Sequence, residues 1–139
     1  MDVDVTVDEV NAFLARELPF CAELGIRCEQ LRGEEAVTRW SFSPRFARPV
    51  EFACGPVLMA VADVAMYCAV FTRGGIVPLA LTNEMKIAFL RPAVGARDLL
   101  ARARILKRGR RVVYGVVDVA QDGAPDRLVA HATTTYVLP

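Results

Sequence analysis

Histidine is nearly missing from this sequence: among 139 residues it occurs once, as His131. The four cysteines, Cys21, Cys28, Cys54 and Cys68, form no CxxC pair. Without paired cysteines or clustered histidines the usual structural zinc sites are excluded, and no metal is expected. Charge of one sign is lacking too. Seventeen Lys and Arg face 16 Asp and Glu, a net +1, so no general attraction to nucleic acid follows. The first residues, Met1 to Glu9, are acidic rather than basic and apolar. No secretory leader is expected, and a cytoplasmic protein with reduced thiols is expected. The very apolar run 56-PVLMAVADVAMYCAVFT-72 is too short to cross a bilayer comfortably and carries Asp63, so it reads as a core helix rather than a membrane span. Internal repeats and low-complexity tracts are also absent.

Apolar residues are plentiful. They make up 54% of the chain, above the roughly 45–50% of ordinary globular proteins. A chain of this length reads as a single domain over residues 1–139, whose interior is too small to hide so much apolar surface; burial between subunits, hence an oligomer, is expected. Residues 91–111 hold Arg91, Arg97, Arg102, Arg104, Lys107, Arg108, Arg110 and Arg111 against Asp98 alone, which makes a local anion site plausible.

Periodicity sets out the elements. Within residues 1–20, the segment 8–18 has Val10, Phe13, Leu14 and Leu18 on one helical stripe, with Thr6 or Asp8 as cap and Pro19 as stop. Extended segments are expected at 24–31 and 35–43, a proline-rich loop at 44–56, and a long helix at about 55–72 ended by 73-RGG-75. Four more extended segments follow across residues 79–138, at 79–90, 98–107, 111–121 and 127–138. The short links between the last three imply antiparallel neighbours. A helix as apolar as 55–72 must be covered on most sides, and its small residues Ala60, Ala62, Ala65 and Ala69 allow close approach. The economical α+β solution is a curved antiparallel sheet wrapped around one long helix.

Asp63 stands in the middle of that helix, with Met59, Ala60, Met66 and Tyr67 as its neighbours on the same face. A carboxylate in such surroundings suits a general base; it could equally be a buried Asp tied to backbone donors or to an arginine. The helix start offers a second ingredient. Gly55 lets a substrate approach the backbone closely, and its N–H lies where the helix dipole favours negative charge; Pro56 has no N–H to offer. Cys54 is either a pocket lining or a nucleophile favoured by the helix start, though no histidine base lies near it in sequence.

The segments 55-GPVLMAVADVAMY-67, 87-IAFLRPAVG-95, 107-KRGRRVVYGVVDV-119 and 128-LVAHATTTYVL-138 stand in the order of the hotdog fold. Over residues 24–138 the chain resembles its PaaI-like (phenylacetic acid degradation) group of acyl-CoA thioesterases. The resemblance implies hydrolysis of a thioester to a free acid and coenzyme A, the latter as part of the substrate and not as a cofactor. It implies a homodimer joined sheet edge to sheet edge, paired again into a tetramer, with sites built from both chains. Asp63 then takes the role of general base or nucleophile, the Gly55 amide polarises the carbonyl, and Thr82 holds the attacking water, although plain β-propensity also explains a threonine there. The chain departs from the group's His-Gly-Gly, with Cys54-Gly55-Pro56, and has Arg48 where many members have asparagine.

Strand alternation places Thr82 on the face opposite Asn83, Met85, Ile87 and Phe89, so Asn83 reads as a buried polar residue able to reach the site. Arg91, Arg108 and Arg110 are candidates for the coenzyme A phosphates. Met59, Tyr67 and their neighbours suggest a medium-chain or aromatic acyl pocket. His131 lies in the last strand with Thr133 and Thr135 on its face and reads as structural. The competing reading is a non-catalytic hotdog that binds acyl-CoA or another small ligand.

Overall fold

The computed structural model describes residues 2–139. Helix α1 (Val7–Glu17) opens on a capping box: Thr6 Oγ1 accepts from the Glu9 N–H at 3.1 Å, and the Glu9 carboxylate accepts from the Thr6 N–H at 2.9 Å. Pro19 ends α1 but also starts a second short helix, α2 (Pro19–Leu24), because proline is well suited to the first helical position. Gly25, at φ +84°, then turns the chain into β1 (Ile26–Arg32), two residues later than the sequence suggested. Strand β2 (Glu35–Trp40) follows. Two short pieces, β3 (Ala47–Arg48) and β4 (Phe52–Ala53), pair within the proline-rich loop. Between them Val50 and Glu51 hold left-handed φ values of 67° and 58°.

The central helix α3 (Gly55–Val70) leads through a loop to β5 (Leu81–Phe89), β6 (Leu99–Arg108), β7 (Val112–Gln121) and β8 (Leu128–Val137). Six strands form one sheet in the order β1-β2-β6-β7-β8-β5, every neighbour antiparallel. The sheet wraps α3, which is the hotdog arrangement.

One face of each strand supplies the core. Ala36, Thr38 and Trp40 of β2, Leu99, Ala101 and Ala103 of β6, and Val113, Val117 and Val119 of β7 are buried against α3. The run of alanines lets the sheet come close to the helix. Thr38 is the polar exception and is satisfied, its hydroxyl donating to the Val61 carbonyl at 2.9 Å. The C-terminal end of α3 is closed by Arg108, which donates to the Ala69 and Val70 carbonyls and pairs with Glu34 at 2.6 Å. A cation there meets the negative end of the helix dipole.

The far side of the sheet is different. Strand β5 is an edge, and most of it is exposed, Leu81 and Phe89 included. Leu79, Leu90, Val94 and Val50 add exposed apolar surface along the same margin. Such an edge is open to pairing with another strand.

The tightest contact in the core lies at Gly115. A Cβ there would come within 2.7 Å of the Arg104 carbonyl oxygen and 2.9 Å of Met66 Sδ and Cε. Met66 is fully buried on α3, so neither neighbour has room to withdraw. Gly115→Ala is therefore expected to destabilise the protein by about 1–3 kcal/mol through overpacking. Urea denaturation checks this, and an unchanged midpoint would mean that the helix rides higher on the sheet than the structure shows.

Candidate active site

Asp63 lies on α3 at the bottom of a hollow of about 400 Å³. Its Oδ1 accepts two hydrogen bonds, one from the Thr82 hydroxyl and one from the Tyr136 phenol, both at 2.8 Å. The Tyr136 hydroxyl also lies 3.1 Å from the Asp63 carbonyl oxygen. Among the described residues no donor reaches Oδ2. The carboxylate is half-buried and faces the hollow with one oxygen held and the other open.

Thr82 reaches Asp63 because β5 is irregular. Thr82 pairs with Tyr136 and Glu84 with Thr135, so Asn83 is an extra residue on the β5 side, a bulge. Simple alternation put Thr82 opposite Met85, Ile87 and Phe89. The bulge shifts the phase by one, so that Thr82, like Tyr136 beside it, points toward α3. Asn83 is correspondingly exposed rather than buried, and it lines no part of the hollow.

Tyr136 is the residue that sequence reasoning missed. It lies in a threonine-rich strand on the buried parity, beside Thr134, Ala132 and Ala130. A tyrosine only 3% exposed needs a partner for its hydroxyl; that demand was the available signal. Burial first, and then the Asp63 charge, push its phenol far above the ordinary tyrosine range. Tyr67 stacks on it, with ring centroids 5.7 Å apart, and donates to the Pro78 carbonyl at 2.9 Å. Burial raises the Tyr67 phenol as well. Cys21 is pushed up to about 11, by burial and secondarily by Asp63. Phe13, Leu18 and Tyr67 form apolar walls of the hollow.

Gly55 lines a second, larger hollow of about 730 Å³ with Arg48, Val50, Leu58, Phe89 and Arg91. No side chain caps α3, and Pro56 brings no N–H, so the Gly55 amide is the donor at this mouth. Asp63 and Gly55 thus line different hollows of one chain. Eight residues separate them, about 12 Å along the helix axis.

Several other expected site residues stand elsewhere. Cys54 and Pro56 do not line the large hollow; the Cys54 thiol is turned to the Phe46 carbonyl at 3.3 Å, and no histidine is near it. Met59 is exposed on α3 but lines neither hollow. Arg108 is spent on Glu34 and the end of α3. Arg110 is exposed in the β6–β7 turn, away from both hollows. His131 does have an aspartate, Asp118, at 2.6 Å across the β7–β8 register; the pair lies on the sheet face turned away from α3. Adjacent strands supply the partner that sequence distance hid. Among the described residues no group of three or more His, Cys, Asp or Glu is placed to hold a metal ion.

The thioesterase superfamily model matches residues 51–127. A candidate thioesterase of Silicibacter sp. TM1040 is similar over 100% of this chain and 95% of its own, with 31% identity and a TM-score of 0.89. A mutant form of the phenylacetic acid degradation protein PaaI from Thermus thermophilus is 29% identical over 87% of this chain and 99% of its own, with a TM-score of 0.75. The PaaI protein of the E. coli phenylacetic acid degradation operon, at 21% identity, shares the fold over 93% of this chain and 91% of its own, with a TM-score of 0.78. No curated protein matches the chain.

The Tyr136 environment has a consequence for stability. The unfolded chain ionises a tyrosine near pH 10, whereas the folded Tyr136 keeps its proton well beyond that. Above about pH 10 the unfolded state therefore binds fewer protons than the native state. Stability falls as pH rises, by about 1.4 kcal/mol per pH unit for this group. Tyr136→Phe is expected to flatten that fall when denaturation midpoints are measured between about pH 9 and 11. Equal slopes for the two proteins would contradict the assignment.

Proposed function

The chain belongs to the thioesterase superfamily, and from that premise we propose that it hydrolyses an acyl-CoA, using Asp63 as base or nucleophile and the Gly55 amide to hold the carbonyl oxygen. The observation that carries the reading is the Asp63 carboxylate, tethered through Oδ1 by Thr82 and Tyr136 and open through Oδ2 to a hollow of about 400 Å³.

Two copies of the chain complete the site. The Asp63 hollow is lined by Leu81 and Thr82 at the start of β5, and the Gly55 hollow by Phe89 at its end. Antiparallel pairing of β5 with the β5 of a second copy, about a two-fold axis, brings the start of one strand to the end of the other. Each Asp63 hollow then faces the Gly55 hollow of the other copy. The exposed apolar margin of β5 supports this pairing, since association would cover it. A second pairing of such dimers, sheet face to sheet face, makes the tetramer.

The chemistry follows from those positions. Asp63 Oδ2 takes a proton from water as the water oxygen attacks the thioester carbon. The carbonyl oxygen gains negative charge beside the Gly55 N–H and the positive end of α3, where that charge is stabilised. Collapse of the tetrahedral adduct breaks the C–S bond, and the proton returns to the departing thiolate. Direct attack by Oδ2, with a mixed anhydride hydrolysed in a second step, uses the same tether. Thr82 donates its proton to Asp63 and keeps its lone pairs free to accept from the water. The walls of Phe13, Leu18 and Tyr67 suit a medium-chain or aromatic acyl group. No metal and no dissociable cofactor is required by this scheme. No helix among the described residues is long and apolar enough to cross a membrane, and we place the reaction in the cytoplasm.

The replacement of His-Gly-Gly by Cys54-Gly55-Pro56 supports one other reading, a protein that binds acyl-CoA without turning it over. A panel of acyl- and aryl-CoA esters, assayed for released thiol, separates the two. Asp63→Asn is expected to lower kcat by at least about 100-fold, the scale of general acid–base catalysis, with the oligomer intact by size-exclusion chromatography and light scattering. Tyr136→Phe, which leaves the Thr82 tether, should cost less. If Asp63→Asn kept its rate, or simply dissociated, the carboxylate would be a structural group.

A further inference from the structure

The sequence-level candidates for coenzyme A phosphates were Arg91, Arg108 and Arg110, yet only Arg91 stands at a hollow. Beside it the fold assembles two arginines from elsewhere in the chain. Arg91, Arg97 and Arg127 line a third concavity of about 340 Å³, together with Pro92, Val94, Gln121 and Ala124. Arg91 and Pro92 also line the Gly55 hollow, so the two spaces share a wall and run on from one another.

None of these three guanidinium groups has a carboxylate within ion-pair distance among the described residues. Two of the neighbouring acids are already committed. Asp98 and Asp122 each pair with Arg39 at 3.0 Å, and Asp98 also accepts from the Phe42 N–H at 2.8 Å. Arg91 and Arg97 donate only to the carbonyls of Leu128 and Asp122. Those bonds position the groups and leave most of their N–H donors and all of their charge unanswered.

The cluster is also built. The Gln121 side chain donates to the Val94 carbonyl at 2.6 Å and ties the 92–97 segment to the end of β7. Gly123, at φ +86°, lets the 122–127 turn pass under Arg97; a Cβ there would lie 3.2 Å from its Nη2. Three like charges held on tied segments repel one another, and an anion with several charges relieves that repulsion.

We propose that Arg91, Arg97 and Arg127 form a subsite for the phosphorylated nucleotide end of the coenzyme A thioester, reached by the pantetheine arm through the Gly55 hollow. This rests on the thioesterase reading, since the Gly55 amide fixes where the reacting carbonyl lies. A forked guanidinium suits phosphate better than a point charge does. The committed acids around Arg39 keep competing carboxylates away from the three arginines.

The test compares acyl-CoA with the same acyl group on pantetheine, which lacks the nucleotide. Charge-assisted contacts of this kind predict that Arg97→Ala with Arg127→Ala lowers the ratio of kcat/KM for acyl-CoA to that for acyl-pantetheine by at least about tenfold, chiefly through KM. Because both substrates are read on one enzyme, a loss of folded protein cancels from the ratio. Arg97→Lys should restore part of it. Arg73→Ala, beyond the end of α3, should leave the ratio as it is. An unchanged ratio in the double variant overturns the subsite while the hydrolase reading stands. If the wild-type protein hydrolyses neither substrate, the hydrolase reading fails, and calorimetry with adenosine 3′,5′-bisphosphate decides the subsite separately. Binding that the double variant loses supports it; no binding to the wild-type protein overturns it.

Discussion

The pair of hydrogen bonds on Asp63 Oδ1 is the constraint around which this molecule is arranged. A carboxylate in an otherwise apolar helix costs free energy unless donors meet it. Here the donors come from β5 and β8, which are adjacent in the sheet although Thr82 and Tyr136 stand 54 positions apart in the chain. The sheet must close over α3 to bring both hydroxyls to one oxygen. The same closure buries Tyr136 and stacks it on Tyr67. Folding therefore produces the polarity of the site, since neither hydroxyl is near Asp63 until the core is formed.

A second constraint runs along the edge of the sheet. β5 carries a reactive neighbourhood at its start and an apolar hollow at its end, and it has no strand beyond it. One chain alone holds the acid and the amide in separate hollows. The 54% apolar composition and the exposed Leu81, Phe89 and Leu90 point the same way, and the proposed β5 pairing would cover this surface with another copy of the chain.

Much of this was legible in the sequence, and the failures have identifiable causes. The order of elements and the central helix follow from periodicity, because an apolar helix with small residues and four alternating segments admits few arrangements. Asp63 was conspicuous because a charge in that company is expensive. Tyr136 was overlooked because its partner is distant in the chain, and so was Asp118 beside His131. Arg108 looked like a free surface cation because nothing local indicates that it caps α3 from 38 residues away. Pro19 read only as a stop, whereas the first position of a new helix suits it equally well.

Asn83 shows how one residue can let a strand serve two purposes. Beyond it, Met85, Ile87 and Phe89 keep step with the interior; before it, Thr82 faces the same way only because the count has been offset by one. The offset divides β5 into a stretch that follows the inner-face parity and a start whose Thr82 hydroxyl reaches the Asp63 carboxylate. Removing the spacer would leave a strand that still pairs and still packs, yet aims its hydroxyl into solvent. On the proposed mechanism, whether a hydroxyl reaches the carboxylate can thus lie in parity, with no change in the residues themselves.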